Sequence, residues 1–209
     1  NTQDPCDTCQ MHRDRCLCDL IPNIKTRARL SLVIHSKELR RTTNTGALAA
    51  KALSNSEVLV RGKVGEPLDL KPLLTADYRH LLFYPSDDAV ELTAEFVSQS
   101  SLPIHLIVPD GNWRQAGKVH LRHPELAGVP RVAITVPNTS AFHLRAESTS
   151  FGMATLQAIA HAYGIIEGDH VKDALLKLYQ TKLERTLEGR GTKTSGLDRE
   201  KPLDISTNS

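Results

Sequence analysis

Four cysteines open the chain in the order C-x2-C-x6-C-x-C, as Cys6, Cys9, Cys16 and Cys18. Zn²⁺ takes four soft ligands in a tetrahedron, and C-x2-C is a common way to place two thiolates on one ion. The segment around them has too few apolar residues for a core of its own, so a bound ion would supply its folding energy. Two disulfides are the competing arrangement, but no cysteine follows Cys18 and nothing else reads as a secreted disulfide scaffold. The expectation is one structural Zn²⁺ on the four thiolates, with His12 as a surface residue. A closed four-thiolate site leaves no open position for chemistry.

The second stretch able to do chemistry is IHLIVPDGNWRQAGKV, residues 104–119. A continuous apolar run stops at Pro109, and Asp110 and the only tryptophan, Trp113, follow at once. A carboxylate at the end of a buried strand suits a general base, since withdrawal from water favours its proton-holding form. The same Asp before a short helix is also an ordinary N-cap. Trp113 is either core or a platform beneath a ligand. A third feature is a basic stripe: Lys25, Arg27, Arg29, Lys37, Arg40 and Arg41 stand against Glu38 alone. Such a stripe can meet phosphates although the whole chain carries only +2.

The elements that must position these residues alternate. Strands are expected at 29–35, 57–62, 80–85, 104–109 and 131–135. Helices are expected at 44–55, after Ser86, at about 112–121, at 151–164 and at 169–189. Asn44 or Thr45 would cap the first helix. Ser86 would cap the second, with Asp87 and Asp88 in its first turn. The last helix carries Val171, Ala174, Leu175, Leu178 and Leu187 on one stripe. Strand–helix alternation with apolar strands implies an α/β fold, a mostly parallel sheet with helices on both faces. Ligands then bind outside the carboxyl ends of the strands, where Pro85–Ser86 and Pro109–Asp110 lie. No G-x-G-x-x-G and no P-loop motif is present. The 209 residues hold 40% hydrophobic but only 4% aromatic residues, so the core must be aliphatic. No apolar run reaches the roughly 18 residues of a membrane span. The segment after Gly191 reads as a disordered tail.

Four blocks, in order, resemble the DTW-domain family of tRNA-uridine aminocarboxypropyltransferases. They are the cysteine pattern, HSKELRRTTNTG (35–46), YPSDDA (84–89) and DGNWRQA (110–116). Two positions depart from the family pattern. Asn112 stands where the D-x-T-W motif has Thr, and ATLQ (Ala154–Gln157) stands where the family has Ser-Thr-x-Glu. The resemblance implies a SPOUT-like trefoil knot and S-adenosylmethionine as co-substrate. It divides the chain into a zinc-binding segment (1–26), a catalytic domain (27–190) and a tail (191–209).

The resemblance also implies a reaction: transfer of the 3-amino-3-carboxypropyl group to N3 of a tRNA uridine, leaving methylthioadenosine. Asp110 would be the base. Ser86, Pro109, Asp110, Asn112, Trp113 and Thr155 would line the donor site. Lys25, Arg27, Arg40, Arg41, Arg114 and Arg145 would meet the tRNA, with His35 and His143 as further contacts. The expected protein is cytoplasmic and not membrane-bound; its oligomeric state is open between the dimer of many knotted relatives and a monomer, which is favoured slightly because the knuckle and tail could occlude the dimer surface. The competing functions are a SPOUT-like RNA methyltransferase and an inactive zinc-containing RNA-binding protein.

Overall fold

The structure, a computed structural model, describes residues 4–111, 119–135 and 153–189. Its strands are β1 (Arg29–His35), β2 (Ser56–Arg61), β3 (Arg79–Phe83), β4 (Val90–Glu91), β5 (Ile104–Asp110) and β6 (Arg131–Ala133). Its α-helices are α1 (Gly46–Ala52), α2 (Ala94–Ser98), α3 (Val119–Arg122), α4 (Thr155–Ile166) and α5 (Asp169–Gly189). All six strands join one sheet in the order β2-β1-β5-β3-β6-β4, and every pairing is parallel.

The sheet is covered on both faces, as continuous apolar strands require. On one face Leu30, Leu32, Leu81, Leu106 and Val108 meet α1, α4 and α5. On the other, Val33, Leu82 and Ile107 meet Leu70 and Leu73, Val119 of α3, and Leu126. These opposed sets follow the strand period of two. The second face is thus covered mainly by short helical turns. The cysteine segment shares the first cluster, burying Cys9, Met11 and Leu17 there.

The helix expected after Ser86 does not form there. Residues 87–88 turn, and Val90–Glu91 add a parallel edge strand on Val132 and Ala133. The helix waits until Ala94, capped by the Thr93 hydroxyl, which accepts from Phe96 N–H at 3.1 Å. Asp88 is drawn instead to Arg131 at 2.5 Å and to the Ser86 hydroxyl at 2.7 Å. Side-chain pairing across the sheet edge wins over local capping. The last helix runs as expected over 169–189, with Val171, Leu175, Leu178 and Leu187 buried. The knot depends on the path of residues 112–118 and 136–152, which lie outside the described residues, as does the tail.

Candidate active site and metal centre

The four cysteines fold into one cluster, and all are free thiols. Sγ separations are 3.5 Å for Cys6–Cys18, 3.6 Å for Cys6–Cys16 and 3.7 Å for Cys9–Cys16. All four sulfurs lie within 4.8 Å of one another. A tetrahedron with Zn–S bonds of about 2.3 Å needs sulfurs about 3.8 Å apart, so the donor set fits Zn²⁺. A disulfide would need sulfurs at about 2.05 Å. The backbone amides of Cys9 and Thr8 hold the Cys6 thiol down at about 6, while burial pushes Cys18 up. His12 pairs with Asp14 and stands outside the cluster.

α5 grips this knuckle. Lys182, fully buried, donates to Cys9 O at 3.5 Å. Arg185 donates to Cys16 O and, at 3.4 Å, to Arg15 O. Two cations therefore face a cluster whose zinc-bound form would carry a charge of about −2.

Asp110 is the last residue of β5, the central strand of the site. Its neighbour on β1 is Ile34. The ladder to β3 ends earlier, at Leu82↔Ile107, so β5 runs on past β3 through Pro109 and Asp110. This is the carboxyl edge, where parallel sheets bind ligands. The side chain is 4% exposed. Asn44 Nδ2 donates to its Oδ2 at 2.5 Å, and Thr155 Oγ1 donates to its Oδ1 at 2.6 Å. Gly111 follows with φ +148°, a backbone that glycine adopts readily.

Both donors are themselves held. Asn44 Oδ1 accepts from Ala47 N–H at 3.1 Å and so caps α1 through its side chain. Thr155 is the first residue of α4. Its neighbour Leu156 donates its backbone N–H to Thr45 Oγ1 at 3.1 Å. Gln157 accepts from Ala154 N–H at 3.3 Å, a task a glutamate would do equally, so this departure from the family pattern leaves the start of α4 intact. Gly46 completes the ring: a Cβ there would lie 2.9 Å from Asp110 Oδ2 and 3.0 Å from Leu32 Cδ1.

The other expected site residues are scattered or outside the described residues. Pro109 is buried in β5, and Ser86 lies beyond β3 with its hydroxyl on Asp88. Lys25, Arg27, Arg40 and Arg41 are exposed, and Arg41 reaches Glu38 at 3.4 Å. His35 accepts from Lys37 N–H at 3.2 Å, a local structural role. Asn112, Trp113, Arg114, His143 and Arg145 are outside. Between the knuckle and α1 lies a cavity of about 420 Å³ lined by Thr8, Gln10, Arg40, Asn44 and Lys51, among others. In the sequence alone Asn44 is marked only as a helix cap, and Gly46 carries no mark. The signal for both was their place in the 35–46 block, just after a strand that pairs with β5.

The DTW domain profile matches residues 3–187. The chain belongs to the DTW domain family. It is 27% identical over 174 residues to tRNA-uridine aminocarboxypropyltransferase 2 of Drosophila melanogaster, covering 80% of this chain and 68% of that protein. Proteins of the same name from Macaca fascicularis and Mus musculus are each 24% identical, over 84% of this DTW chain and 61% of their own lengths. Among the described residues, no helix is long and apolar enough to cross a membrane.

Proposed function

We propose that this DTW protein transfers the 3-amino-3-carboxypropyl group of S-adenosylmethionine to N3 of a tRNA uridine. The observation that carries the reading is the Asp110 carboxylate: withdrawn from water at the carboxyl edge of the sheet, and held by two side chains instead of by backbone amides alone. The names of the relatives support the substrate and the transferred group.

The chemistry needs little else. The sulfonium of the donor already activates the carbon under attack, so no metal is called on. The uridine imide must lose its N3 proton to become a nucleophile, and in this reading Asp110 accepts it. N3 then bonds to the propyl carbon, the carbon–sulfur bond breaks with its electrons going to sulfur, and methylthioadenosine leaves. The proton passes from Asp110 to solvent. Before that, the same anion complements the positive sulfur. Choice of the propyl carbon over the methyl is a matter of orientation. Ser86, Pro109, Asn112, Trp113 and Thr155 belong to the donor side of this reading. The tRNA would enter across the knuckle and the 25–41 stripe, where Arg40 and Lys51 line the cavity beside Asn44. Arg114 and Arg145 are further phosphate contacts. The zinc, held by Cys6, Cys9, Cys16 and Cys18, is structural.

Incubation of tRNA with the protein and donor, read by mass spectrometry, tests the reading. The expected products are 3-(3-amino-3-carboxypropyl)uridine and methylthioadenosine. A methyl mass with S-adenosylhomocysteine would make the protein a methyltransferase. RNA binding with no donor binding would make it a non-catalytic RNA-binding protein. Asp110→Asn should lower the rate roughly 100- to 10,000-fold with tRNA binding retained.

A further inference from the structure

We propose that Asn44 is the positioning residue of the active site, with Thr45 and Gly46 completing a bracket that fixes the Asp110 carboxylate. The inference rests on the reading of Asp110 given above. Nothing in the helix-capping role of Asn44 requires the contact it makes with Asp110, and that contact is the shorter of its two side-chain bonds.

The three consecutive residues have separate tasks. Asn44 is 7% exposed, and its amide works in two directions. The oxygen takes Ala47 N–H, which fixes the plane of the amide, and the nitrogen then points at Asp110 Oδ2. Thr45 accepts from Leu156, the residue after Thr155, and Thr155 is the other donor to the carboxylate. The two donors are thus tied together through their chain neighbours, and the carboxylate is bonded on both oxygens. Gly46 leaves the space that the carboxylate occupies, since any Cβ would stand 2.9 Å from Oδ2. The bracket removes the rotational freedom of the Asp110 side chain. Each oxygen keeps lone-pair capacity for one further partner, because an ionised carboxylate accepts about four hydrogen bonds and here accepts two from these side chains. Pre-set geometry of this kind is what a proton acceptor needs, because displacement of about 1 Å can cost 100-fold in rate. Asn44 also lines the cavity beside the knuckle, so an occupant there meets the residue that sets Asp110.

Asn44→Asp separates positioning from capping. An aspartate caps a helix as well as an asparagine does, so α1 should be preserved, and the melting temperature should match that of the unmodified protein at pH values where the new carboxyl and Asp110 still share a proton. Its second oxygen, however, has no proton to give to Asp110 unless it is itself protonated. Two carboxyl groups at this distance share one proton, and while they share it the bond survives. Relative to the unmodified protein, Asn44→Asp should lose kcat progressively with rising pH, by roughly tenfold or more between about pH 5.5 and 8.5. Asn44→Ala should be low at every pH, with kcat falling further than KM for tRNA or donor rises. A purely structural Asn44 predicts that the activity of Asn44→Asp follows only its folded fraction, read by circular dichroism at each pH, with kcat per folded molecule equal to that of the unmodified protein. That result, alongside an inactive Asp110→Asn, would overturn the proposal and leave the role of Asp110 standing. An active Asp110→Asn would remove both.

Discussion

Leu156 donates its backbone N–H to Thr45 Oγ1 at 3.1 Å, joining residues 111 positions apart in the chain. Neither group touches Asp110 in that bond, yet each is the immediate neighbour of a residue that does. The bond therefore sets the separation of the two donors, and with it the orientation of the carboxylate between them.

Thr45→Val tests this link. The change keeps the shape and removes the acceptor. Leu156 N–H, at a buried residue, would be left without its partner, a cost of about 1–3 kcal/mol. Catalysis should fall further than tRNA binding, because the start of α4 carries Thr155. Thr45→Ser, which restores the oxygen, should recover most of the rate. Equal activity in the Val and Ser variants would dissociate the latch from the chemistry.

Much of this was legible in the sequence, for physical reasons that differ between elements. β1 and β5 each carry three successive apolar residues, Leu32–Ile34 and Leu106–Val108, which face both sides of a strand and are tolerated where both faces are buried, and the parallel sheet followed from them. The cysteine cluster was legible because thiolate spacing is a local property. Asp110 was legible because it ends a strand. The region after Ser86 was not, since Asp88 is claimed by Arg131 across the sheet edge, a pairing no local pattern encodes. Asn44 was half legible. Its capping of α1 is local, but its bond to Asp110 exists only because β1 lies beside β5, a tertiary fact. No sequence signal marked Lys182, which is buried because α5 packs on the knuckle.

With Zn²⁺ on the four thiolates, as proposed above, its removal should release that knuckle without unfolding the sheet. Cys9, Met11 and Leu17 are buried only while the segment stays folded on α5. A strong chelator should open residues 4–26 to protease while the sheet core persists, and should lower the melting temperature. Arg185→Ala removes the donor to Cys16 O and Arg15 O and should destabilise by about 1–2 kcal/mol. It should also speed zinc release to a chromophoric chelator. An unchanged release rate would show that α5 does not hold the cluster.

The surface proposed to meet tRNA makes a separate prediction. Arg40 is exposed and lines the cavity beside Asn44, whereas Arg41 is partly neutralised by Glu38. Arg40→Ala should weaken tRNA binding and reduce the slope of log affinity against log salt by about one. Arg41→Ala should do so less. Titrations at several salt concentrations decide the matter, and an unaltered slope for Arg40→Ala would remove it from the interface.

Stability should fall on mild acidification, and His105 should be a main cause. Its ring is buried in the sheet, 2.7 Å from Ser31 Oγ and 2.8 Å from His80 Nδ1. Burial, then the charges of His80 and Arg29, lowers its pKa from 6.5 to about 3. The folded state thus binds fewer protons than the unfolded state between those values. Stability from this group is complete above about pH 6.5 and is lost as pH falls towards 3. At pH 5 the loss is about 2 kcal/mol for a group so displaced. His35 and His161 are lowered as well, each first by burial, and add to the trend in the same direction. Depressed carboxylates such as Asp88, held at about 2 by Arg131 and Ser86, act only below about pH 4, so outside the cysteine cluster the histidines dominate the window from 5 to 6.5. Urea midpoints measured across that window should drop with falling pH. In His105→Gln the drop should shrink by up to one proton's worth of slope. A His105→Gln curve parallel to the unmodified one would mean that this ring takes up its proton as readily folded as unfolded.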